Sequence, residues 1–238
     1  MTEELFRTDS YLKDCTAIVV SAGPEGIVLD RTVFYPMGGG QPGDSGELRL
    51  ADGRTLRIAD TRKGETGILH VPEEPEAASA LAPGDAVTAV LDWERRHRHM
   101  RMHTALHLMC ASVPGDVTGG QVGAERSRLD FDLPEVSFTK EELADRLNAL
   151  IAADHPVSAR WITDAEMAAQ PELVRTLSVK PPMGAGTVRL ISVAGDTVDL
   201  QPCGGTHVAR TGEIGPLTVA KIENKGRQNR RITIAFAE

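Results

Sequence analysis

Apolar and polar positions alternate with a period of two through the first part of the chain. Runs at 16–20, 27–33, 47–50, 55–59, 68–71 and 86–91 read as short strands, because successive side chains of a strand point to opposite faces. The dipeptide Asp52-Gly53 is a hairpin signal, and the Pro-, Glu- and Ala-rich stretch 72–83 reads as a loop. Six or so strands without a helix predict a small β-barrel over residues 1–92. The period changes at Trp93. Met100, His103, Ala105, Leu106, Met109 and Cys110 recur at helical spacing as far as Ser112, where Val113-Pro114-Gly115 stops the run. Thr139 with Glu142, and Thr163 with Glu166, predict capping boxes that open two further helices. Runs at 188–193, 197–200, 217–222 and 232–236 read as strands, so residues 93–238 form a second, α+β domain.

Composition narrows the class. The chain has 238 residues, 41% hydrophobic and 25% charged, without an apolar run near the ~18 residues that a spanning helix needs. The start, MTEELFRTDS, has neither a basic n-region nor an apolar h-region, and the three cysteines are scattered. A reducing cytoplasm is the expected setting, with no membrane partner. Net charge is −8, which by itself argues against nucleic acid. Its distribution reverses that inference. Residues 1–92 hold 8 basic and 16 acidic side chains, and the rest of the chain holds 18 of each. Basic residues bunch in that second part: Arg95, Arg96, Arg98 and Arg101 with His97 and His99 between them, then Lys221, Lys225, Arg227, Arg230 and Arg231. These are two candidate phosphate-facing patches, with a merely solvated charged face as the alternative.

Two short motifs carry candidate chemistry. In His103-Thr-Ala-Leu-His107, two imidazoles four apart on a helix share one face and can aim at one point, without the glutamate of a protease-type HExxH motif. In Cys203-Gly-Gly-Thr-His207, the glycines free the backbone so that a thiolate and an imidazole converge. Together these residues make a nitrogen and sulfur donor set suited to tetrahedral Zn²⁺, the alternative being a buried thiol and core histidines. Cys15 and Cys110 read as small buried apolar residues. The glycine-rich stretch Met37-Gly-Gly-Gly-Gln-Pro-Gly-Asp-Ser-Gly46 lacks the Gly-Lys-Ser/Thr ending of a nucleotide-binding loop, so no ATP is expected. It is either a barrel turn or a loop that closes on substrate.

HTALH, CGGTHVARTGEIG, ENKGRQNRR and GGGQPGDSG as a set resemble the AlaX family of alanyl-tRNA editing proteins, relatives of the editing domain of alanyl-tRNA synthetase. The resemblance runs from about residue 33 to residue 236 and is to the long forms that carry a glycine-rich N-terminal domain. It implies an N-terminal barrel followed by an α+β editing domain with an antiparallel sheet and a zinc site. It also implies hydrolysis of tRNA(Ala) mischarged with serine or glycine, without the ability to charge tRNA. His103, His107, Cys203 and His207 fall on the zinc-binding positions, which the resemblance also makes the catalytic centre. The loop 117–123 falls where relatives shape the amino-acid pocket, with Thr118 or Gln121 bonding the serine hydroxyl. Gly38, Gly39, Gly40, Gln41 and Asp44 fall in the loop that long forms use beside the site. Gly204 and Gly205 are candidate backbone donors to the oxyanion. The expected tRNA contacts are Arg95, Arg96, Arg98, Arg101, Lys225, Arg227, Arg230 and Arg231. Four protein ligands make a closed set, whereas catalytic zinc keeps a position open, so a loose ligand or expanded coordination is expected. The rival readings are a zinc-stabilised tRNA-binding module without turnover, a small-ester metallohydrolase, and a threonyl-type editing relative; the tail and the glycine-rich loop favour the alanyl family.

Overall fold

The alternating segments close on one another. In the computed structural model, which describes residues 2–176 and 186–237, the strands β1 (Asp14–Gly23), β2 (Gly26–Leu29), β3 (Gly46–Leu50), β4 (Thr55–Lys63), β5 (Ile68–Pro72) and β6 (Ala86–Leu91) form a closed barrel. Its order is β1-β2-β5-β4-β3-β6, with antiparallel neighbours. Closure leaves no edge strand to pair with another chain. Val19, Ile27, Leu29, Phe34, Leu48, Ile58 and Ala89 fill the interior. The predicted strand at 27–33 breaks at Asp30, and Arg31–Thr32 pairs in parallel with Glu3–Glu4 instead. The 72–83 loop contains a 3₁₀ turn, Pro75–Ala80.

The glycine-rich stretch is largely explained by this architecture. A Cβ at Gly43 would lie 2.0 Å from the Thr61 carbonyl oxygen, and one at Gly46 would lie 2.2 Å from that of Val90. Backbones approach there too closely for any side chain. Gly38 and Gln41 exchange backbone hydrogen bonds of 3.1 and 2.9 Å around Gly39 and Gly40, which take φ of +56° and +81°.

The chain divides into two units, Met1–His97 and Arg98–Glu238, and the division falls within helix α1 (Trp93–Ser112). From His99 to Cys110 every residue of α1 is buried except the half-buried Arg101. A helix sheathed on all sides can carry polar groups only where they find partners.

The second unit is α+β. Four antiparallel strands, β7 (Asp116–Gln121), β8 (Arg126–Asp132), β12 (Leu217–Asn224) and β13 (Asn229–Phe236), lie in the order β12-β13-β8-β7. Three more, β9 (Val157–Thr163), β10 (Thr187–Val193) and β11 (Asp199–Pro202), form a second antiparallel sheet. Both expected capping boxes are present, on α2 (Lys140–Ala152) and α3 (Asp164–Ala168). Strand β11 starts two residues later than expected, after a turn in which Ala194, Gly195 and Asp196 all have positive φ.

Candidate metal centre

Helix α1 supplies half of the centre. Its i, i+4 spacing stacks His103 and His107 with ring centroids 5.5 Å apart, and His207 packs 4.4 and 4.7 Å from these two rings. Cys203 Sγ lies 3.4 Å from His103 Nε2 and 3.3 Å from His207 Nε2. One donor atom from each of the four residues falls within 4.8 Å of the others, a group that could hold a metal ion. Sequence motifs some hundred residues apart are thus brought together as expected.

The surroundings tune these donors. Burial alone would push the Cys203 thiol up, but the His103 and His207 rings outweigh it and hold the thiol well below its ordinary value. Burial, with His103 beside it, holds His207 well below the usual histidine range. His107 goes the other way: burial opposes its charge, yet Asp199 and Cys203 raise it to about 10.

A second ring of residues orients the first. His107 Nδ1 donates to Asp199 Oδ2 at 2.8 Å, which leaves Nε2 as the ring nitrogen that could meet a metal ion. Gln201 Nε2 donates to the same carboxylate at 3.0 Å. Thr104 Oγ1 donates to the Met100 carbonyl and accepts from the Val208 N–H, so His207 Nδ1, 3.2 Å away, completes its bonding as a donor. Arg189 Nη1 donates to the carbonyls of Cys203 and Gly205 and so pins the loop that carries the thiol. None of Thr104, Asp199, Gln201 and Arg189 is expected from the motifs. A signal for two of them is present: Asp199, Gln201 and Cys203 alternate with period two, so one sheet face carries all three. Asp199→Asn is expected to weaken metal affinity about 10- to 100-fold, read by competition with a chromophoric chelator. Unchanged affinity would remove Asp199 from the orienting role.

Other expected site residues are placed differently. Asp44 and Gln41 are buried. Asp44 accepts from Arg96 and from the Tyr35 N–H, so it faces no substrate. Arg96 is wholly buried and also donates to the Ser10 and Val33 carbonyls, which corrects its assignment as a phosphate contact. The rest of that arginine cluster is occupied locally. Arg95 bonds the Gly43 carbonyl, Arg98 that of Ala124, and Arg101 that of Ile214, with Arg101 stacked 4.1 Å from the Phe236 ring centre. Spacing of three keeps Arg95, Arg98 and Arg101 along one face of α1, Arg98 and Arg101 sharing the Phe236 ring, and leaves Arg96 off that face. His97 stacks on Trp93, and His99 is buried.

In the C-terminal cluster, Arg231 bonds Asp130 through two nitrogens, and Arg230 donates to Asn224 and to the Gly226, Asn229 and Pro134 carbonyls. Lys221 and Lys225 both pair with Glu223, while Lys225 and Arg227 stay exposed at the β12–β13 hairpin. The expected pocket loop 117–123 is mostly strand β7 at a sheet edge. Thr118 is half-buried there, its hydroxyl donating to the Asp130 carbonyl, and Gln121 is exposed. Gly205 is not a free oxyanion donor: its N–H lies 3.4 Å from Cys203 Sγ. Gly204 is half-buried beside it.

Comparison with known proteins places the chain in a family. The chain is 37% identical to the Alanyl-tRNA editing protein AlaX-M of Methanosarcina acetivorans, with 98% of each chain covered. It is 34% identical to that of Saccharolobus solfataricus, again with 98% of each covered. The chain belongs to the AlaX-M family of alanyl-tRNA editing proteins. Residues 188–233 match the threonyl and alanyl tRNA synthetase second additional domain, which contains Cys203 and His207, and residues 8–95 match the class II (A) tRNA synthetases. The chain also aligns at 33% identity with a quarter of the Alanine--tRNA ligase of Metallosphaera sedula. No helix among the described residues is long and apolar enough to cross a membrane.

Proposed function

We propose that this protein is a trans-editing deacylase: it hydrolyses the ester of tRNA(Ala) mischarged with serine or glycine to free amino acid and intact tRNA. The convergence of three buried histidines and the half-buried Cys203 carries the reading. Its donor chemistry fits zinc. Bond lengths of about 2.0–2.3 Å in a tetrahedral site space a nitrogen and a sulfur donor by roughly 3.5 Å, close to the 3.3 and 3.4 Å separations of Cys203 from His207 and His103. When bound, zinc supplies a Lewis acid that polarises a carbonyl or activates water.

The chain's own residues do the rest. His103, His107, Cys203 and His207 would hold the ion, with His107 and His207 fixed in orientation by Asp199 and Thr104. Thr118 retains acceptor capacity at its hydroxyl after donating to Asp130, and it takes the hydrogen bond of the serine side chain. Serine is thereby held and alanine, lacking the hydroxyl, leaves a polar group unpaired. Lys225 and Arg227, exposed at the hairpin tip, meet the phosphate backbone.

The test is release of amino acid from Ser-tRNA(Ala), Gly-tRNA(Ala), Ala-tRNA(Ala) and Ser-tRNA(Thr). Release from Ser-tRNA(Ala) and none from Ala-tRNA(Ala) or Ser-tRNA(Thr) is expected, and Gly-tRNA(Ala), which also lacks the hydroxyl, reads what Thr118 does not decide; no release from any of them refutes the reading. Thr118→Val is expected to narrow the serine-over-alanine preference about tenfold, the worth of one hydrogen bond. Unchanged selectivity would take Thr118 out of the pocket.

A further inference from the structure

Register places an exposed aromatic ring in line with the metal centre. Trp161 on β9 pairs with Arg189 on β10. The β10–β11 register, Leu190 with Pro202, extends by one residue to Arg189 with Cys203, whose N–H donates to the Arg189 carbonyl at 3.1 Å. Residues directly opposite one another share a sheet face, so Trp161, Arg189 and Cys203 form one row across three strands. At the usual strand spacing, the Trp161 backbone lies about 10 Å from that of Cys203. The other face of this sheet is closed by Met167 against Val188 and Leu190, with Ile162 packed on it.

Trp161 is 51% exposed. Among the described residues it is the one exposed large hydrophobic side chain of the second unit, the others being Leu12, Ile18, Val20 and Met37 of the first. An edge strand that otherwise shows Ser158, Ala159 and Arg160 to solvent has no packing need for a tryptophan. A substrate whose ester reaches the cluster must bring its ribose and base with it, and those parts trail outward over the same sheet face. Every base has a flat face, and an exposed indole is the side chain that stacks on it.

We propose that Trp161 is the stacking platform for the 3′-terminal base of the aminoacylated RNA. The proposal rests on the deacylase reading and adds the subsite that grips the substrate next to the scissile ester. Stacking persists from bound substrate to transition state, so its loss acts on binding rather than on the chemical step.

Steady-state deacylation of Ser-tRNA(Ala) by the wild-type, Trp161→Ala and Trp161→Phe proteins tests it. Trp161→Ala is expected to raise KM about tenfold with kcat within about twofold of wild type, and Trp161→Phe is expected to keep most of the affinity. A second measurement uses uncharged tRNA as the probe in a Trp93→Phe background. Intact tRNA should quench Trp161 fluorescence, and tRNA lacking its terminal nucleotide should quench it much less. Wild-type KM in Trp161→Ala, equal quenching by both RNAs, or a Trp161-dependent dimer by sedimentation would each overturn the proposal. An inactive wild-type protein would overturn the deacylase reading instead, and the quenching comparison still decides whether the base docks.

Discussion

Cys203→Ala is expected to abolish deacylation, lowering the single-turnover rate by about 10³-fold or more, together with loss of bound metal. Cys203 supplies the one donor of the four that becomes an anion, and its neighbours His103 and His207 already favour the thiolate against the cost of burial. Removing it leaves three imidazoles, a weaker and more open set, and several kcal/mol of transition-state stabilisation goes with the ion. The loop itself should stay in place. Its carbonyls at positions 203 and 205 are held by Arg189 and its N–H at 203 by the Arg189 carbonyl, contacts that do not involve the thiol. Metal content by elemental analysis and single-turnover deacylation, with circular dichroism as the folding control, decide the matter. A metal-free variant that retained the wild-type rate would sink the metal-centred mechanism, as would full activity of the wild-type protein after chelation.

Asp44→Ala is expected to destabilise the Met1–His97 unit by about 3–5 kcal/mol, because it strands a buried cation. Arg96 and Asp44 are 0% and 1% exposed, and among the described residues the other acceptors of Arg96 are the neutral carbonyls of Ser10 and Val33. Unfolding of this unit can be followed through Trp93, which packs with Tyr11 and His97, in a Trp161→Phe background. A fall of about 15 °C in the transition is the expected scale for a unit of this size. The same variant separates two roles for the glycine-rich loop. A substrate contact at Asp44 would appear as a raised KM at unchanged stability, whereas a structural ion pair appears as lost stability.

Legibility in the sequence followed the strength of local patterning. The barrel strands were readable because one face of each is buried, so period two is written into β1, β3 and β6. Both capping boxes were readable because the chemistry lies within four residues. Strands β7, β8 and β9 were not. The first contains Gly119 and Gly120 and so shows no apolar alternation, whereas β8 and β9 alternate only briefly, through Leu129 and Phe131 and through Val157, Ala159 and Trp161, and β9 is almost wholly exposed. The metal centre was legible as two motifs whose spacing limits the geometry. Its orienting residues were not, because Asp199 and Thr104 act across some hundred residues of chain on His107 and His207.

Charge shows the division most clearly. Composition and spacing alone determined a barrel followed by an α+β unit, a convergent His and Cys donor set, and an acidic surplus confined to residues 1–92. Sequence also grouped Arg95, Arg96, Arg98 and Arg101 into one patch, and the tertiary structure dispersed it. Arg95, Arg98 and Arg101, three positions apart, follow one face of the helix and, half-buried, bond the carbonyls of Gly43, Ala124 and Ile214, while Arg96 lies off that face and is buried against Asp44. Which charges face water, which polar groups steer a ligand and which aromatic ring lies in line with Cys203 depend on strand register and burial. Those are properties of contacts between distant segments, and only the folded chain contains them.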